Sequence, residues 1–440
     1  MPIWRDVGRL VSGCQPAAQE AGRSPAQGGS AYDEASGKER PISTKNVLVL
    51  GGNFAGLTAA LSLKHELQDG VDVTVLSKSD QFQFNPSFIW IPFGRRKVKD
   101  VVFPVAKTFT SHDVKFVHGE ATTIDPTAQQ VQTTQGMLGF DYLVIATGYL
   151  NDFEVVPGLG PGGNAYSITS LEGAVDAAEG WARLLNDPGP VVVAATQGAA
   201  CFGAAYEFVF NVTYQLRRQK LKVPVAYVSA EPFPGHFGIG GLPGGETLLG
   251  MFLRRQKIEP IFDSAMEEVA PGELRLADGR TLPFKYGMVV PPFVGAEVVH
   301  ASGLGNAKGF IEVKDTYQTL EHPNVYAVGI AAAVNAPWTT ANAVGVPKTG
   351  FPAETMAHVA AENIAAQIRG QEPTKQENFG DIPAVCIMDA GNNGVVILAD
   401  RMLPPRKHGV MIPGPQSHAA KIAFEKYFLW KMRHGYVGLP

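Results

Sequence analysis

Residues 45–77, KNVLVLGGNFAGLTAALSLKHELQDGVDVTVLS, decide the fold of the chain. The apolar run at residues 46–50 predicts a buried strand, and residues 57–67 show the apolar spacing of an amphipathic helix. A second apolar run at residues 71–76 predicts another strand. A strand, glycine turn, helix and strand of this length are typical of a dinucleotide-binding βαβ unit.

The turn after the first strand carries Gly51, Gly52 and Gly56. Glycine lets backbone N–H groups at a helix N-terminus approach a pyrophosphate, whose negative charge the helix dipole favours. Two positions depart from the usual pattern: Asn53 replaces the middle glycine, and Ser77 ends the second strand where an acidic ribose-binding residue is usual. The motif alone therefore leaves two interpretations open, a dinucleotide site and an ordinary βαβ turn.

Two later segments favour the dinucleotide site. Residues 140–148, FDYLVIATG, predict a buried strand ending in Ala-Thr-Gly, the element that closes the first nucleotide lobe of flavoproteins with two dinucleotide-binding domains. Residues 323–330, PNVYAVGI, repeat the strand-to-glycine form that such flavoproteins place beside FAD. Together the three segments predict FAD as the cofactor.

Residues 190–203, PVVVAATQGAACFG, hold the place of a second glycine fingerprint. Ala194 and Thr196 stand where glycines are usual, and their β-carbons keep the backbone away from a pyrophosphate. Cys201 then enters the next helix. The sequence predicts a degenerate second domain that has lost nicotinamide binding and offers a thiol instead.

The composition limits the possible functions. The 440 residues suffice for two or three domains, and a net charge of −4 argues against nucleic-acid binding through counterion release. The 49 Gly and 32 Pro recur around short apolar runs, which excludes an all-helical chain. No uncharged apolar run approaches the ~20 residues of a spanning helix. We predict an α/β fold: two Rossmann-like dinucleotide-binding domains with a C-terminal membrane-facing region.

The predicted domain limits follow from these motifs. Residues 1–45 lack periodicity and predict a disordered N-terminal tail. The other units are an FAD-binding domain at residues 46–165 and 301–380, the degenerate domain at 166–300 with Cys201, and a C-terminal region at 381–440 with Cys386 and an amphipathic helix. Three cysteines are too few for a disulfide scaffold, so any that matter should act chemically. We predict no metal site.

Six further segments carry a family resemblance. They are 81–87 QFQFNPS, 197–207 QGAACFGAAYE, 229–239 SAEPFPGHFGI, 346–350 VPKTG, 385–389 VCIMD and 423–428 AFEKYF. In this order they resemble the sulfide:quinone oxidoreductases and the related flavoprotein subunit of flavocytochrome c sulfide dehydrogenase. The resemblance implies FAD-dependent oxidation of sulfide to protein-bound sulfur or polysulfide, with electrons passed to a membrane quinone.

The motifs and the resemblance together define the candidate cofactor-binding residues. They are Gly51, Gly52, Asn53, Gly56, Ser77, Pro86, Ala146, Thr147, Gly148, Gly329 and Lys348. Lys348 matches a family lysine near the pyrimidine end of the flavin ring, where a cation stabilises the reduced anionic flavin.

Cys201 and Cys386 match the two cysteines that the family places on the sulfide side of the flavin. The resemblance implies that hydrosulfide attacks the oxidised pair, leaving a persulfide on one cysteine and a thiolate on the other, which reduces the flavin. A helix N-terminus at Cys201 is expected to lower the pKa of its thiol. The alternative for each cysteine is an inert buried residue.

Two further residues complete the predicted catalytic set. Glu207 matches a family carboxylate that accepts a proton near the sulfur site, and His236 matches a family histidine. Their alternatives are an exposed helix carboxylate and a structural imidazole. The chain departs from the family at Thr169 and Gly173, where many members carry a third cysteine and a histidine. This departure bears on how sulfur leaves the site.

The segment at residues 418–434 predicts a helix that lies on a membrane. One arc of the helix carries the apolar and aromatic side chains Ala420, Ala423, Phe424, Tyr427, Phe428 and Trp430. The basic residues Lys421, Lys426, Lys431 and Arg433 lie beside this arc or opposite it. Such a helix suits the bilayer interface, with its lysines on anionic head groups. We predict Phe351, Phe424, Tyr427, Phe428 and Trp430 as the quinone and membrane residues. The alternative is a helix packed on the protein's own core or on a second copy in a homo-oligomer.

We therefore interpret the chain as a peripheral, monotopic sulfide:quinone oxidoreductase with sulfide, quinone and the membrane surface as partners. Three rivals remain: a type II NADH:quinone oxidoreductase, a flavocytochrome c subunit, and a flavin-bound redox sensor without turnover.

Overall fold

The computed structural model describes residues 44–439. Residues 1–43 of the predicted tail, including Cys14, lie outside the described residues. The first strand begins at Lys45.

The strands and helices alternate through most of the chain. The principal strands are β1 (Lys45–Leu50), β2 (Val71–Ser77), β3 (Lys115–His118), β4 (Tyr142–Ile145), β5 (Val191–Ala195), β6 (Val225–Ser229), β7 (Ile258–Ile261), β8 (Tyr286–Val290), β9 (Val325–Ala327), β10 (Ala384–Asp389), β11 (Gly394–Ala399) and β12 (Gly409–Pro413). The principal helices are α1 (Phe54–Leu67), α2 (Leu171–Asn186), α3 (Phe202–Arg218), α4 (Gly245–Gln256), α5 (Gly350–Ile368) and α6 (Pro415–His434). Shorter strands are Gln81–Gln83, Val102–Pro104, Ala121–Asp125, Gln130–Thr133, Gly136–Gly139, Leu150–Asn151, Met266–Ala270, Glu273–Leu276, Thr281–Pro283 and Phe293–Val294, and shorter helices are Val98–Val101, Ala106–Thr110 and Glu297–Ala301.

The first sheet is parallel and has the strand order β9-β4-β1-β2-β3. Its central strand is buried from Val47 to Leu50, because α1 packs against the sheet and α5 packs against α1. Buried parallel strands read as continuous apolar runs, which is why the sequence pattern identified them. The strand order reverses beside β1, and ligands of doubly wound sheets bind at such a switch point.

The second sheet is also parallel, with the order β7-β6-β5-β8. All five residues of β5 are buried, and α3 packs against this sheet. The prediction of an α/β fold with two Rossmann-like units is therefore confirmed. The domain limits given above stay a prediction.

The C-terminal region is an antiparallel sheet, β10-β11-β12, covered by α6. Within the described part of the chain, no helix is long and apolar enough to cross a bilayer.

Helix α6 differs from the surface helix that the sequence predicts. Lys421 and Lys431 are only 4% and 2% exposed, and Glu425 between them is fully buried. Lys421 pairs with Glu207 at 3.0 Å, and Lys431 pairs with Glu354 at 3.1 Å. The prediction that both lysines face anionic lipid is wrong, because their partners lie far away in the sequence.

A third ion pair makes the same helix part of the core. Both carboxylate oxygens of Glu425 accept 2.9 Å hydrogen bonds from Nε of Arg96, and Ser87 donates to one of them at 2.6 Å. Charge-assisted contacts of this kind are strong and geometrically specific. Helix α6 therefore packs into the core and forms ion pairs with residues of both Rossmann-like units.

We predict that Lys431→Ala lowers the free energy of unfolding by about 3 to 5 kcal/mol, because it leaves the Glu354 carboxylate buried without its cation. Lys426→Ala on the same helix is the matched control, since the Lys426 side chain is 65% exposed. That control should change stability by less than about 0.5 kcal/mol. Urea unfolding followed by tryptophan fluorescence measures both, and equal effects of the two variants would refute the buried role of Lys431.

Candidate active site

The first glycine turn has the geometry of a phosphate cradle. Gly51 has φ +109°, and a β-carbon there would lie 2.3 Å from the carbonyl oxygen of Ala146. A β-carbon on Gly56 would lie 1.9 Å from the carbonyl oxygen of Gly51. Both positions therefore require glycine, and the first turn of α1 leaves its N–H groups free of partners within the helix.

The other predicted cofactor residues surround this turn. A β-carbon on Gly52 would lie 3.2 Å from that of Ser77, and one on Gly329, at φ +65°, would lie 3.1 Å from that of Ala55. Asn53 exchanges hydrogen bonds of 3.2 Å and 3.1 Å with the backbone of Gln83. That exchange explains why asparagine replaces the usual glycine, since its side chain ties the turn to the neighbouring strand.

Two buried polar atoms in this lobe have no hydrogen-bond partner among the described residues: Oγ1 of Thr147 and Oδ1 of Asn85. Burying such atoms unpaired costs roughly 1 to 3 kcal/mol each, so they are expected to face a polar ligand. Gly148, at φ +74°, follows Thr147, and Pro86 follows Asn85 on a short helix. The residues present therefore fit a bound dinucleotide.

Lys348 is held close to the Gly329 turn. Its ammonium donates to the carbonyl oxygens of Ile330 and Ala332 at 2.7 Å and 2.5 Å, and lies 3.9 Å from the ring centre of Phe310. Burial lowers the pKa of Lys348 to about 7. The structure thus assigns the lysine a role in shaping the turn, and its contact with the flavin stays a prediction.

The hydrogen-bonding groups of the second glycine turn are occupied by other parts of the protein. The N–H of Gly198 donates to the carbonyl oxygen of Ala343 at 2.6 Å, and the N–H of Gly345 donates back to Ala199 at 2.9 Å. Gln197 also exchanges two 3.0 Å hydrogen bonds with the backbone of Met266. The loop at residues 343–345 therefore uses a backbone donor that a nicotinamide dinucleotide would need.

Glu231 stands two residues after β6, where a ribose-binding carboxylate is usual. It is fully buried and accepts hydrogen bonds from the N–H of Phe237 at 2.6 Å and the hydroxyl of Ser229 at 2.9 Å. Burial raises the pKa of Glu231 to about 7. Its partners are internal, so this carboxylate does not present itself to a ribose.

The two predicted cysteines lie together between the lobes, and both are free thiols. Cys201 is the N-cap of α3, and Cys386 lies on β10, which packs against that helix. Each is close enough to Glu207 and Lys421 for those charges to affect its pKa. The structure therefore brings together three of the four predicted catalytic residues.

The thiol of Cys201 is not activated in the way the sequence predicts. Burial raises its pKa, although the N–H of Ala204 in the first helical turn and the charge of Lys421 both lower it. The expectation of a depressed pKa is wrong, because desolvation outweighs the helix terminus. Desolvation by the surrounding protein and the nearby Glu207 likewise raise the pKa of Cys386, although its side chain keeps contact with solvent.

Glu207 is the polar centre of this site and is only 6% exposed. It accepts hydrogen bonds from Lys421 at 3.0 Å and 3.3 Å and from the N–H of Asp389 at 2.6 Å. Lys421 also donates to the carbonyl oxygen of Ile387 at 3.0 Å. Burial raises the pKa of Glu207 to about 7, while the Glu207 carboxylate keeps Lys421 protonated. The alternative of an exposed helix carboxylate is wrong.

Comparison with known proteins bears on this arrangement of thiols and charges. The protein family described as pyridine nucleotide-disulphide oxidoreductase matches residues 45–195. The sulfide-quinone reductase of Aquifex aeolicus is 35% identical over 401 residues, covering 89% of this chain and 92% of that protein. The X-ray structure of the Aquifex aeolicus sulfide:quinone oxidoreductase has a TM-score of 0.85 at 34% identity, covering 89% of this chain and 92% of that one.

The chain belongs to the sulfide:quinone oxidoreductase family. FAD is its cofactor, as predicted. The mitochondrial sulfide:quinone oxidoreductase of Mus musculus is 24% identical over 80% of this chain and 77% of its own. The type II NADH:quinone oxidoreductase of Staphylococcus epidermidis is 34% identical, but over only 26% of this chain and 29% of its own.

His236 differs from the other three predicted catalytic residues of this family member. Its ring contacts Phe233 and Trp338 edge-on, at 5.3 Å and 4.9 Å between centroids, and its Nδ1 accepts from the N–H of Gly238 at 3.3 Å. Burial lowers the pKa of His236 to about 4, so the ring is neutral. Within the described residues it makes no hydrogen bond or ion pair with Glu207 or either cysteine, which favours the structural alternative.

The segment with Thr169 and Gly173, where many family members carry a third cysteine, forms hydrogen bonds within the protein. The hydroxyl of Thr169 bonds to Ser167 and Asn151 at 2.8 Å each, and Tyr149 donates to its carbonyl oxygen at 2.5 Å. A β-carbon on Gly173 would lie 2.3 Å from the carbonyl oxygen of Ser167. This part of the site therefore offers hydrogen bonds in place of a thiol.

An aromatic cluster joins the first glycine turn to α6. Phe54, the first residue of α1, lies 5.2 Å from Phe428, and Phe84 lies 5.4 Å from Phe428 and 6.0 Å from Phe424. Phe428 is only 3% exposed, whereas Phe424 is 36% exposed. The cluster thus runs from the cofactor turn to the protein surface. Phe351 is the second residue of α5 and is half-buried against the main core.

Sequence reasoning missed the partners of Glu207. The helical spacing predicts a surface position for Lys421, and Asp389 belongs only to the matching segment at residues 385–389. The Lys421–Glu207 contact spans 214 positions in the sequence. Only the presence of a carboxylate in an otherwise apolar helix, at Glu207 within Ala205–Phe210, could have indicated that a buried cation was needed.

We predict that NADH reduces the bound flavin at least about 100-fold more slowly than sulfide does. Replacing backbone donors to a pyrophosphate by internal hydrogen bonds removes contacts worth roughly 1.5 to 3 kcal/mol each. Anaerobic stopped-flow absorbance of the flavin, with each reductant in turn, measures the two rates. Equal or faster bleaching by NADH would show that the loop at residues 343–345 does not close the nicotinamide site.

Proposed function

We propose that the chain oxidises sulfide to sulfur bound on Cys201 and Cys386, and passes the electrons through FAD to a membrane quinone. The observation that carries this proposal is the Lys421–Glu207 pair beside two free thiols. A thiol pair alone would support a redox sensor. A buried acid with a pKa near 7 beside the thiols adds the proton acceptor that turnover at neutral pH requires.

The residues of the site have separable roles. Lys421 lowers the pKa of both cysteines, so its charge favours the thiolate against the cost of burial. Hydrosulfide attacks one sulfur of the oxidised pair: a new S–S bond forms, the Cys201–Cys386 bond breaks, and its electron pair stays on the leaving cysteine as a thiolate. Glu207 takes up the proton that the incoming sulfur releases. FAD, when bound, would accept the two electrons released as the thiolate and the persulfide join in a new S–S bond, and would pass them to quinone.

The closed second turn disfavours the type II NADH:quinone oxidoreductase alternative. Glu231 and Gly198 are already hydrogen-bonded within the protein. Steady-state turnover with sulfide and quinone would separate the enzyme from a flavin-bound sensor, which would be reduced once and stop.

The quinone and membrane side of the proposal rests on an aromatic surface patch, defined as Phe424, Tyr427, Trp430 and Tyr436, in which Tyr427 is half-buried and the other three are exposed. Trp430 and Tyr436 are 46% and 47% exposed, and their rings lie 5.1 Å apart. Exposed aromatic rings next to Lys426 and Arg433 suit the bilayer interface. The cluster of Phe54, Phe84 and Phe428 leads inward from this patch. We therefore propose peripheral attachment by the patch, with quinone reaching the flavin from lipid.

We predict that Cys201→Ser and Cys386→Ser each lower sulfide-dependent flavin reduction by at least about a thousandfold, and that the double variant is no worse than either single one. The two sulfurs act as one unit, so their losses should not add. FAD should stay bound, because neither cysteine lies in the cofactor turns. Cys14→Ser is the matched control and should keep the normal rate. Near-normal reduction in either core variant would contradict the proposed relay.

We predict that Trp430→Ser/Tyr436→Ser weakens binding to anionic vesicles by about tenfold or more, because each ring contributes roughly 1 to 2 kcal/mol of apolar burial. Quinone reduction should fall more than flavin reduction by sulfide does. Met251→Ser is the control, since Met251 is an exposed apolar residue on α4, outside the patch. Sedimentation with vesicles tests this, and unchanged sedimentation of the double variant would assign the patch to another contact.

A further inference from the structure

Asp389 is a second buried carboxylate beside the sulfur site, three residues after Cys386 on β10. Its side chain is fully buried, and the proposed sulfur chemistry makes no use of it. Its backbone N–H donates to Glu207 at 2.6 Å. Side chains three apart on a strand point to opposite faces, so the Asp389 carboxylate lies on the other side of β10 from the Cys386 thiol.

Hydrogen-bond donors surround both oxygens of the Asp389 carboxylate. One oxygen accepts from the indole N–H of Trp90 at 2.8 Å and from the N–H of Gly391 at 3.1 Å, and a guanidinium N–H of Arg95 lies 3.4 Å away. The other oxygen lies 2.5 Å from Nδ1 of His418. Arg95 can only donate, so its 3.2 Å contact with Nε2 of His418 leaves the proton on Nδ1, where Asp389 accepts it. Donors on both oxygens favour the ionised form, so Asp389 carries a lasting negative charge.

Asp389 and Glu207 belong to one cluster of charges. Among the described residues, the charged and titratable groups that face the two carboxylates are Lys421 and His418 on α6, Arg95, which follows the short helix Asn85–Trp90, and the thiols of Cys201 and Cys386. Arg95 and Lys421 supply two positive charges, and Asp389 and Glu207 supply two negative ones. The cluster is therefore balanced when Glu207 is ionised, and it gains one positive charge when Glu207 takes up a proton.

The two carboxylates have different surroundings and therefore different uses. Burial is the main cause that raises the pKa of Glu207 to about 7, Lys421 lowers it, and the charge of Asp389 adds to the rise. Two carboxyl groups whose environments separate their proton affinities can divide the roles of fixed charge and proton acceptor. A proton acceptor works best when its proton affinity matches the operating pH. With Lys421 alone beside it, Glu207 would be held in its ionised form and would be a weaker base.

We propose that Asp389 is a positioning residue of the sulfur site: its N–H orients the Glu207 carboxylate, and its charge opposes Lys421, so that Glu207 can take up and release a proton in each turnover. This inference rests on the proposed function, in which Glu207 accepts the proton of the incoming sulfur. One proton moves from that sulfur to a Glu207 oxygen, and the same proton leaves before the next turnover. Asp389 itself neither gains nor loses a proton in this sequence.

The first measurement is the ionisation of Glu207, read from the infrared carbonyl band of its protonated carboxyl in the oxidised, FAD-bound protein without sulfide. Loss of the band in Glu207→Gln identifies it. Asp389→Asn removes the charge but keeps the backbone N–H and the side-chain shape, and its amide can still bond to Trp90 and His418. We expect this variant to lower the midpoint of the titration by about one pH unit, because a nearby like charge is lost.

Asp400→Asn is the matched control for this titration. Asp400 follows β11 of the same sheet, and its carboxylate accepts from the N–H groups of Lys407 and His408 instead of facing Glu207. The control should leave the midpoint within about 0.2 pH units. Arg95→Gln, at a side chain that is 21% exposed, is expected to raise the midpoint, since it removes the cation that partly balances Asp389. This variant keeps the test decisive if Asp389→Asn fails to fold.

The second measurement is the pH dependence of flavin reduction by sulfide in the same variants. The step that Glu207 contributes should move with the infrared midpoint, to lower pH in Asp389→Asn and to higher pH in Arg95→Gln. A midpoint that stays in place in both variants, or that moves equally in Asp400→Asn, would overturn the role of Asp389. A midpoint that moves while the kinetic step does not follow would instead overturn the proposed function, in which Glu207 accepts the proton.

Discussion

The ion pair between Lys421 and Glu207 is the contact on which the rest of the site depends. Lys421 comes from α6, Glu207 from α3, and both reach the backbone of β10 at Ile387 and Asp389. Placing two charges in the interior is costly, and a well-packed apolar pair is often as stable. Removing one partner costs roughly 3 to 5 kcal/mol, because the other charge stays buried. The pair therefore fixes helix, strand and thiols in one arrangement.

The second Rossmann-like unit illustrates how a dinucleotide fold takes on another chemistry. Its sheet keeps parallel strands. However, Gln197 and the loop at residues 343–345 occupy the hydrogen-bonding groups around the turn, and the Glu231 carboxylate accepts its hydrogen bonds from within the protein. Cys201 caps the helix whose N-terminus would otherwise meet a pyrophosphate. On the proposed function, one unit binds FAD and the other, with the same fold, carries the sulfur chemistry.

Local sequence patterns predict those parts of the structure that depend on backbone conformation within a few residues. The Gly51–Gly56 turn, the Ala-Thr-Gly strand end and the degenerate turn before Cys201 all depend on backbone conformation within a few residues, and their positions agree with the prediction. The errors concern contacts between distant segments. Lys421 and Lys431 have the spacing of surface lysines, and only the fold shows Glu207 and Glu354 opposite them. The helix terminus alone predicts a lowered pKa for Cys201, whereas burial raises it.

The most direct test of the role of Glu207 is the pH dependence of flavin reduction by sulfide, measured by anaerobic stopped flow in the unmodified protein and in Glu207→Gln. Burial raises the pKa of Glu207 to about 7, so the carboxylate is protonated below that pH and can accept a proton only above it. Ionisation of Glu207 should therefore add a step that rises with pH through about 7, and this added step should be missing in Glu207→Gln. The ionisation of sulfide is common to both proteins, so only the difference between the profiles reports on Glu207.

If Glu207→Gln loses FAD, the double variant Glu207→Gln/Lys421→Gln, which buries no unpaired charge, takes its place in the same measurement. The account predicts that the profile of the variant lacks the Glu207 step and keeps only the rise caused by sulfide ionisation. Profiles of the variant and the unmodified protein that coincide after scaling would contradict the claim that the Glu207–Lys421 pair controls the sulfur site.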